Sequence, residues 1–290
     1  MNFIKKLSNF LYWRSRDFLQ FLKNSGALLL IILRSQFPYT QKPHSQKREI
    51  VVSLTSHKSR FKTLHYTLEC LLRQSIKADR ILLWIDKPDE EHITPEMRKM
   101  QARGVEIITT TEYDKSFNKI IPSLKAFPDA MIVTVDDDIY YPKHMLENLL
   151  SEWSGDDKEI VCHYACKVPC NENGEKLSFK DWIPLNKNYV GYDIVAYGFA
   201  GVLYPPGSLP AEVMDRETFK KLCPRADDMW LYWMGRRNGC VYRKTNKKIV
   251  VVEWPTSQAV GLKNHNTNFG NDEQICNLVA KYGWPSFTTR

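Results

Sequence analysis

Residues 131–142 read MIVTVDDDIYYP. A short apolar run delivers three consecutive aspartates, Asp136, Asp137 and Asp138. Four to eight residues rich in β-branched side chains read as a buried strand, and folding alone gives no reason to end one in three like charges. Side chains alternate across an extended segment, which would put Asp136 and Asp138 on one face and Asp137 on the other. Two carboxylates on one face suit Mg2+ or Mn2+, ions that bind few protein groups and complete their shell with substrate phosphates. The plainer alternative is a solvated acidic turn capping a helix that starts near Pro142.

Upstream, apolar runs alternate with helix-like segments. Residues 49–56 (EIVVSLTS) read as a strand, and 60–74 (RFKTLHYTLECLLRQ) place Phe61, Leu64, Leu68, Leu71 and Leu72 on one helical face. A second strand, RILLWID, ends at Asp86; a third, VEIITT, follows the short helix PEMRKMQAR, and SFNKIIPSLKAF reads as a further helix before the strand AMIVTVDD. This order predicts an α/β fold, a mostly parallel sheet flanked by helices, with ligands beyond the carboxyl ends of the strands. Thr55, Asp86 and the aspartate triplet fall at those ends. No glycine-rich phosphate loop follows the first strand, which disfavours a dinucleotide-dependent dehydrogenase and a P-loop NTPase. Downstream the pattern loosens into a strand near EIVCHYACKV, the run YDIVAYGFAGVLYPPGSL, a helix DDMWLYWMGRRNG, strands near CVYRKT and KIVVVEW, and a terminal helix from about Asn271.

These stretches together resemble the GT-A glycosyltransferases, in particular family 2-like bacterial members that build surface polysaccharide or lipopolysaccharide. The resemblance covers about residues 49–275 and is carried by VVSLTSHKSRF, LLRQSIKADRILLWID, VTVDDDIYYP, GFAGVLYPPGSL and CPRADDMWL. It implies a Rossmann-like GT-A domain at 49–290, with a nucleotide-sugar half (49–142) and an acceptor half (143–290). It also implies a D-x-D motif that holds a UDP-sugar through Mn2+ or Mg2+, and transfer to a hydroxyl of a glycan or glycolipid. By position, Thr55, Ser56, Arg60 and Asp86 would surround the base and ribose, and Lys119 would face the nucleotide or its phosphates. Asp136 would approach ribose and metal, Asp137 would lie beside the donor, and Asp138 would be the principal metal ligand. Asp228 is placed as the general base of an inverting reaction, and His265 in GLKNHNTNFGNDEQ as a further metal ligand. Plainer roles stand beside these: Arg60 and Lys119 as solvated helix charges, and Asp227 or Asp228 as a helix N-cap.

The formal net charge of +8 resides in residues 1–48, where nine Lys and Arg stand against Asp17, so residues 49–290 are balanced and nucleic-acid binding is disfavoured. In that leader, Phe3, Phe10, Trp13, Phe18 and Phe21 interleave with Lys and Arg, and the longest uncharged stretch, 24–33, is too short to span a bilayer. The composition suits a basic amphipathic helix lying on an anionic membrane, or one packed on protein. With seven cysteines in no paired pattern, it points to a cytoplasmic protein peripheral on the inner face of the cell membrane. Cys162, Cys166 and Cys170 do not show zinc-ribbon spacing. Two other functions compete: a non-catalytic, membrane-associated sugar-binding scaffold, and a nucleotidyltransferase, which would normally carry a glycine-rich basic loop after the first strand.

Overall fold

The computed structural model describes residues 22–246, 252–254 and 270–287. Residues 22–35 form helix α1. Strand β1 (Ile50–Ser56), helix α2 (Phe61–Leu72), β2 (Arg80–Asp86), α3 (Pro95–Ala102), β3 (Val105–Thr110), α4 (Ile121–Ala126) and β4 (Met131–Thr134) then follow in the alternation read from the sequence. Local chemistry sets several of the ends. Helix α2 buries Phe61, Leu64, Leu68, Leu71 and Leu72, the stripe expected of it. Thr94 accepts a hydrogen bond from the Met97 N–H at the start of α3, and Pro95 fills the first turn, where its missing N–H leaves nothing unpaired. The segment before the aspartates is less helical than its sequence suggests: residues 115–119 make a tight 3-10 turn and α4 itself spans six residues.

The second half contains α5 (Met145–Glu152), β5 (Glu159–Cys162), β6 (Ala165–Lys167), β7 (Ile183–Pro184), β8 (Tyr189–Gly191), β9 (Ile194–Ala196), β10 (Val202–Tyr204), α6 (Arg216–Leu222), α7 (Asp227–Arg237), β11 (Val241–Lys244) and α8 (Asn271–Tyr282). One sheet has the order β3-β2-β1-β4-β10-β5-β11-β8, and a smaller one β7-β6-β9. Strands β1 to β4 pair in parallel, as do β5 and β11, while β10 runs antiparallel between β4 and β5. The fold is therefore a mostly parallel sheet flanked by helices.

The stretch expected as one strand near residues 159–168 is two, β5 in the large sheet and β6 in the small one, so Cys162 and Cys166 belong to different sheets. Likewise YDIVAYGFAGVLY is divided between β9 and β10. Gly201 makes that crossing at φ +98°, a conformation open to glycine, and a Cβ there would lie 3.1 Å from the Met145 sulfur. Of the strand expected at 248–254, the described part reaches back to the aspartates through a bridge between Glu253 and Ile139.

Alternation along the strands separates two apolar layers. Val52 and Leu54 of β1, Val133 of β4 and Leu203 of β10 pack with α2 and α5 on one face. On the other, Val51, Leu82, Trp84 and Ile132 form one cluster, and Ile160, Val202 and Tyr204 join the aromatic side chains of α7 in another. Burial of these side chains, at about 1.5–3 kcal/mol each, fixes the strand register and thereby the position of every residue at the carboxyl edge.

Candidate active site at the carboxyl edge of the sheet

Strand β4 ends at Thr134, and Asp137 and Asp138 occupy the turn beyond it. The alternation expected of Asp136, Asp137 and Asp138 therefore stops short of them, because the turn replaces extended backbone. It is the backbone that is held most firmly. The Tyr141 hydroxyl accepts from the Asp136 N–H at 2.8 Å and donates to the Phe199 carbonyl at 2.6 Å. The Thr67 hydroxyl lies 2.9 Å from the Asp137 carbonyl and 3.0 Å from that of Ile139, and the Trp254 N–H donates to the Asp138 carbonyl at 3.0 Å.

The three carboxyls point to different partners. Asp137 is buried, accepts from the Ser56 hydroxyl at 2.5 Å and pairs with Arg60. The same guanidinium nitrogen of Arg60 lies 3.1 Å from Asp138. Burial, with Asp137 alongside, pushes the Asp138 carboxyl up to about 7, and Asp136 and Glu253 add to the repulsion. Asp136 keeps 33% of its side chain exposed and accepts from the Lys119 ammonium at 2.8 Å.

Lys119 links this turn to α7. Its side chain is 4% exposed, and its nitrogen also lies 3.0 Å from Asp227, close enough for an ion pair although not aligned as a hydrogen bond. Burial alone would lower its pKa; Asp136, Asp227 and Asp228 outweigh that and hold it well above the usual lysine value. The solvated-charge alternative thus fails for Lys119, and for Arg60, whose side chain is 15% exposed. Neither aspartate of α7 caps it: the N-cap is Ala226, without a side-chain hydrogen bond. Asp227 is instead buried against Lys119, while Asp228, half-buried, accepts the Gly198 N–H at 2.9 Å. Burial, then Asp227, raises the Asp228 carboxyl to about 8.

The remaining expected residues fall nearby. Thr55 donates to the Trp84 carbonyl at 2.9 Å, and Asp86 ends β2. Tyr113, which the sequence reading did not single out, donates to the Ser56 carbonyl at 3.4 Å, and burial raises its phenol to about 12. His265 lies outside the described residues. Sequence reasoning also missed Gly198, Tyr141 and Glu253. The motif DDDIYYP contains Tyr141, but nothing local says that its hydroxyl turns back to Asp136. Gly198 matters through space: a Cβ there would stand 2.6 Å from the Lys119 nitrogen and 3.2 Å from an Asp228 oxygen.

Whether this edge suits a divalent ion can be judged from its charges. Among the described residues, the carboxyls of Asp136, Asp137, Asp138, Asp227 and Asp228 gather around Lys119 and Arg60. These are hard oxygen donors, and Asp136 among them stays open to solvent, a donor chemistry that suits Mg2+ or Mn2+. Among the described residues no three His, Cys, Asp or Glu side chains converge as a closed cage. An ion here would thus draw on one or two carboxylates and on ligand oxygens, the habit of Mg2+ and Mn2+ with phosphates.

No family model and no curated protein matches this chain. Among solved structures, one similar to it is a mannosyltransferase from Pyrobaculum calidifontis in complex with GDP-Man and Mn2+. It is 13% identical over 91% of this chain and 74% of that one, with a TM-score of 0.47. Another is a glucosyl-3-phosphoglycerate synthase from Mycobacterium tuberculosis in complex with Mn2+, UDP-glucose and phosphoglyceric acid. There the identity is 16%, over 40% of this chain and 43% of that one, with a TM-score of 0.31. At such identities and scores these likenesses assign no role to any residue of this chain.

Proposed function

We propose that this chain is a metal-dependent glycosyltransferase that moves a sugar from a UDP-sugar to a hydroxyl of a glycan or glycolipid, with inversion at the anomeric carbon. The observation that carries the reading is the meeting of two acidic groups across one buried lysine at the carboxyl edge of a parallel sheet. Ligands of such sheets bind at that edge. The reaction needs a site for a diphosphate and, separately, a base for the acceptor hydroxyl.

Asp136 and Asp138 are the residues that would hold Mn2+ or Mg2+, and a bound ion would neutralise charge on the leaving diphosphate. The chain's own groups do the rest. Asp137, locked to Ser56 and Arg60, fixes the turn from beneath. Lys119 holds Asp136 and Asp227 in fixed relation, so that donor and acceptor groups keep their spacing. Asp228 would take the acceptor proton. Burial and Asp227 push its carboxyl up to about 8, so it becomes an ionised base at mildly alkaline pH, and the Gly198 N–H orients it. Tyr164, Tyr197 and Phe199 pack together and remain partly exposed beside Gly198, an aromatic surface suited to a sugar face. Thr55 and Asp86 would border the nucleoside. In this reading the protein works at the inner face of a bacterial membrane in surface polysaccharide or lipopolysaccharide synthesis, a location supported by the basic leader.

A panel of nucleotide sugars incubated with the protein and Mn2+ tests the reaction. The expected result is slow release of nucleoside diphosphate from one donor, stopped by chelator. Unaltered nucleotide sugars across the panel, with pyrophosphate released from a nucleoside triphosphate instead, would assign the site to nucleotidyl transfer.

A further inference from the structure

Helix α1 has two apolar faces. Ala27, Leu28 and Ile31 pack on the body of the protein. Leu22, Leu29 and Leu33, at spacings of seven and four, fall on one stripe of a 3.6-residue helix, with Leu30 at its border. All four are exposed, Leu29 by 58% and Leu33 by 53%. Among the described residues most of the large exposed apolar side chains belong to this helix and to Phe37 just after it. By the same geometry Lys23 and Arg34 lie between the outward stripe and the inward one.

Arg34 also lines a cavity of about 320 Å3 between α1 and the body, together with Arg73, Lys143, Tyr39 and Tyr140. The cavity is basic. Glu69 binds Arg73 and Arg103 at once, so one carboxylate answers two guanidiniums. Arg73 also donates to the Phe37 carbonyl at 2.8 Å and lies over the Tyr39 ring, which fixes it as part of the wall. Arg34 reaches the Tyr140 hydroxyl at 3.3 Å, and Lys143 is exposed at the rim.

We infer that α1 and the cavity beneath it form a docking site for an anionic phospholipid surface. The exposed leucines enter the interface, and Arg34 and Lys143 take the phosphate of a headgroup. Both chemistries are needed to choose the occupant. A soluble phosphate would use the cations and leave the leucine stripe without purpose, while a purely apolar partner would leave the cations unanswered. An amphiphile uses both, and a helix with an exposed apolar stripe flanked by Lys and Arg is the usual form of an interfacial helix. This site rests on the membrane-facing part of the reading above and is independent of its chemistry.

The test is co-sedimentation of the full chain with vesicles of phosphatidylcholine alone or with phosphatidylglycerol added, alongside light scattering of the protein without lipid. Wild type is expected to bind the anionic vesicles. The double variant R34E/K143E should bind them at least ~10-fold more weakly, as removal of about 1 kcal/mol per basic group implies, without change in thermal stability or nucleotide binding. L29S/L33S should weaken binding to a similar degree and leave titration with glycerol phosphate unchanged. Equal binding to neutral and anionic vesicles would overturn the proposal, and so would variants that bind like wild type. Tight binding of free glycerol phosphate without vesicle binding would make this a soluble-anion site. A lipid-free dimer lost in L29S/L33S would make the stripe a contact between copies. None of these results bears on whether sugar is transferred.

Discussion

On one side of the aspartate turn Asp137 is buried against Ser56 and Arg60; on the other, Asp136 keeps a third of its side chain in solvent and reaches Lys119, which in turn meets Asp227. The first arrangement is closed, since its hydrogen bonds run to the protein's own groups. The second is shared between two elements and opens to solvent at Asp136 and Asp228. Neighbouring residues of one turn are therefore divided between a buried anchor and a group open to solvent. The division follows from which cation each can reach.

The largest test of that contrast is Lys119→Met. Removing one partner of a buried ion pair typically costs about 3–5 kcal/mol, and here two elements lose their common counter-ion. Urea unfolding should show that loss at pH 7.5 and a partial recovery at pH 5.5, where the stranded carboxyls take up protons. A variant as stable as wild type at both pH values would show that Lys119 does not hold the two sides together.

Asp228→Asn comes next. As general base its removal should lower kcat by about 100-fold or more while donor affinity stays constant. Its pH behaviour carries a sign. Burial and Asp227 push the folded carboxyl up to about 8, against about 4 for an ordinary aspartate, so in that window the native state holds a proton that the unfolded chain has released. Stability should therefore fall as pH rises from about 4 to 8, and the asparagine variant should lose that part of the slope. In the same wild-type enzyme the rate should climb with pH until it levels near 8.

Gly198→Ala should destabilise by about 1–3 kcal/mol, the range for overpacking, because its Cβ would meet a lysine nitrogen already held by two carboxylates. The smallest effects separate the two acids on the Arg60 side. Asp137→Asn should cost about 1–2 kcal/mol through weakened bonds to Ser56 and Arg60. Asp138→Asn should leave stability unchanged or slightly raised at pH 8, since burial and Asp137 already oppose its charge. Equal costs for the two would erase the distinction between anchor and ligand.

The first half of the sheet was legible because its signals are local. Strands β1 to β4 are apolar runs, α2 shows its stripe over 12 residues, and register places Thr55, Asp86 and the triplet at one edge. The second half was not legible to the same degree, because β5 to β10 are two to four residues long and pass between two sheets. A period of two cannot reveal which sheet so short a strand joins. Asp136, Asp137, Asp138, Asp227 and Asp228 could be named from sequence, but neither Glu253 nor the pairing of these acids could. Lys119 and Asp227 are far apart in the chain, and the role of Asp227 as an ion-pair partner rather than a cap depends on where α7 meets the 3-10 turn at 115–119. Gly198 escaped for the same reason, and Tyr141 because the contact that sets its hydroxyl comes from Phe199, 58 residues on.

Calorimetric titration of UDP into wild type, Asp138→Asn and Asp228→Asn, each with Mn2+ and with chelator, tests the central claim most directly. The account predicts Mn2+-dependent binding in wild type and in Asp228→Asn, and its loss in Asp138→Asn. Binding that survives chelator, or that persists undiminished in Asp138→Asn, would contradict it.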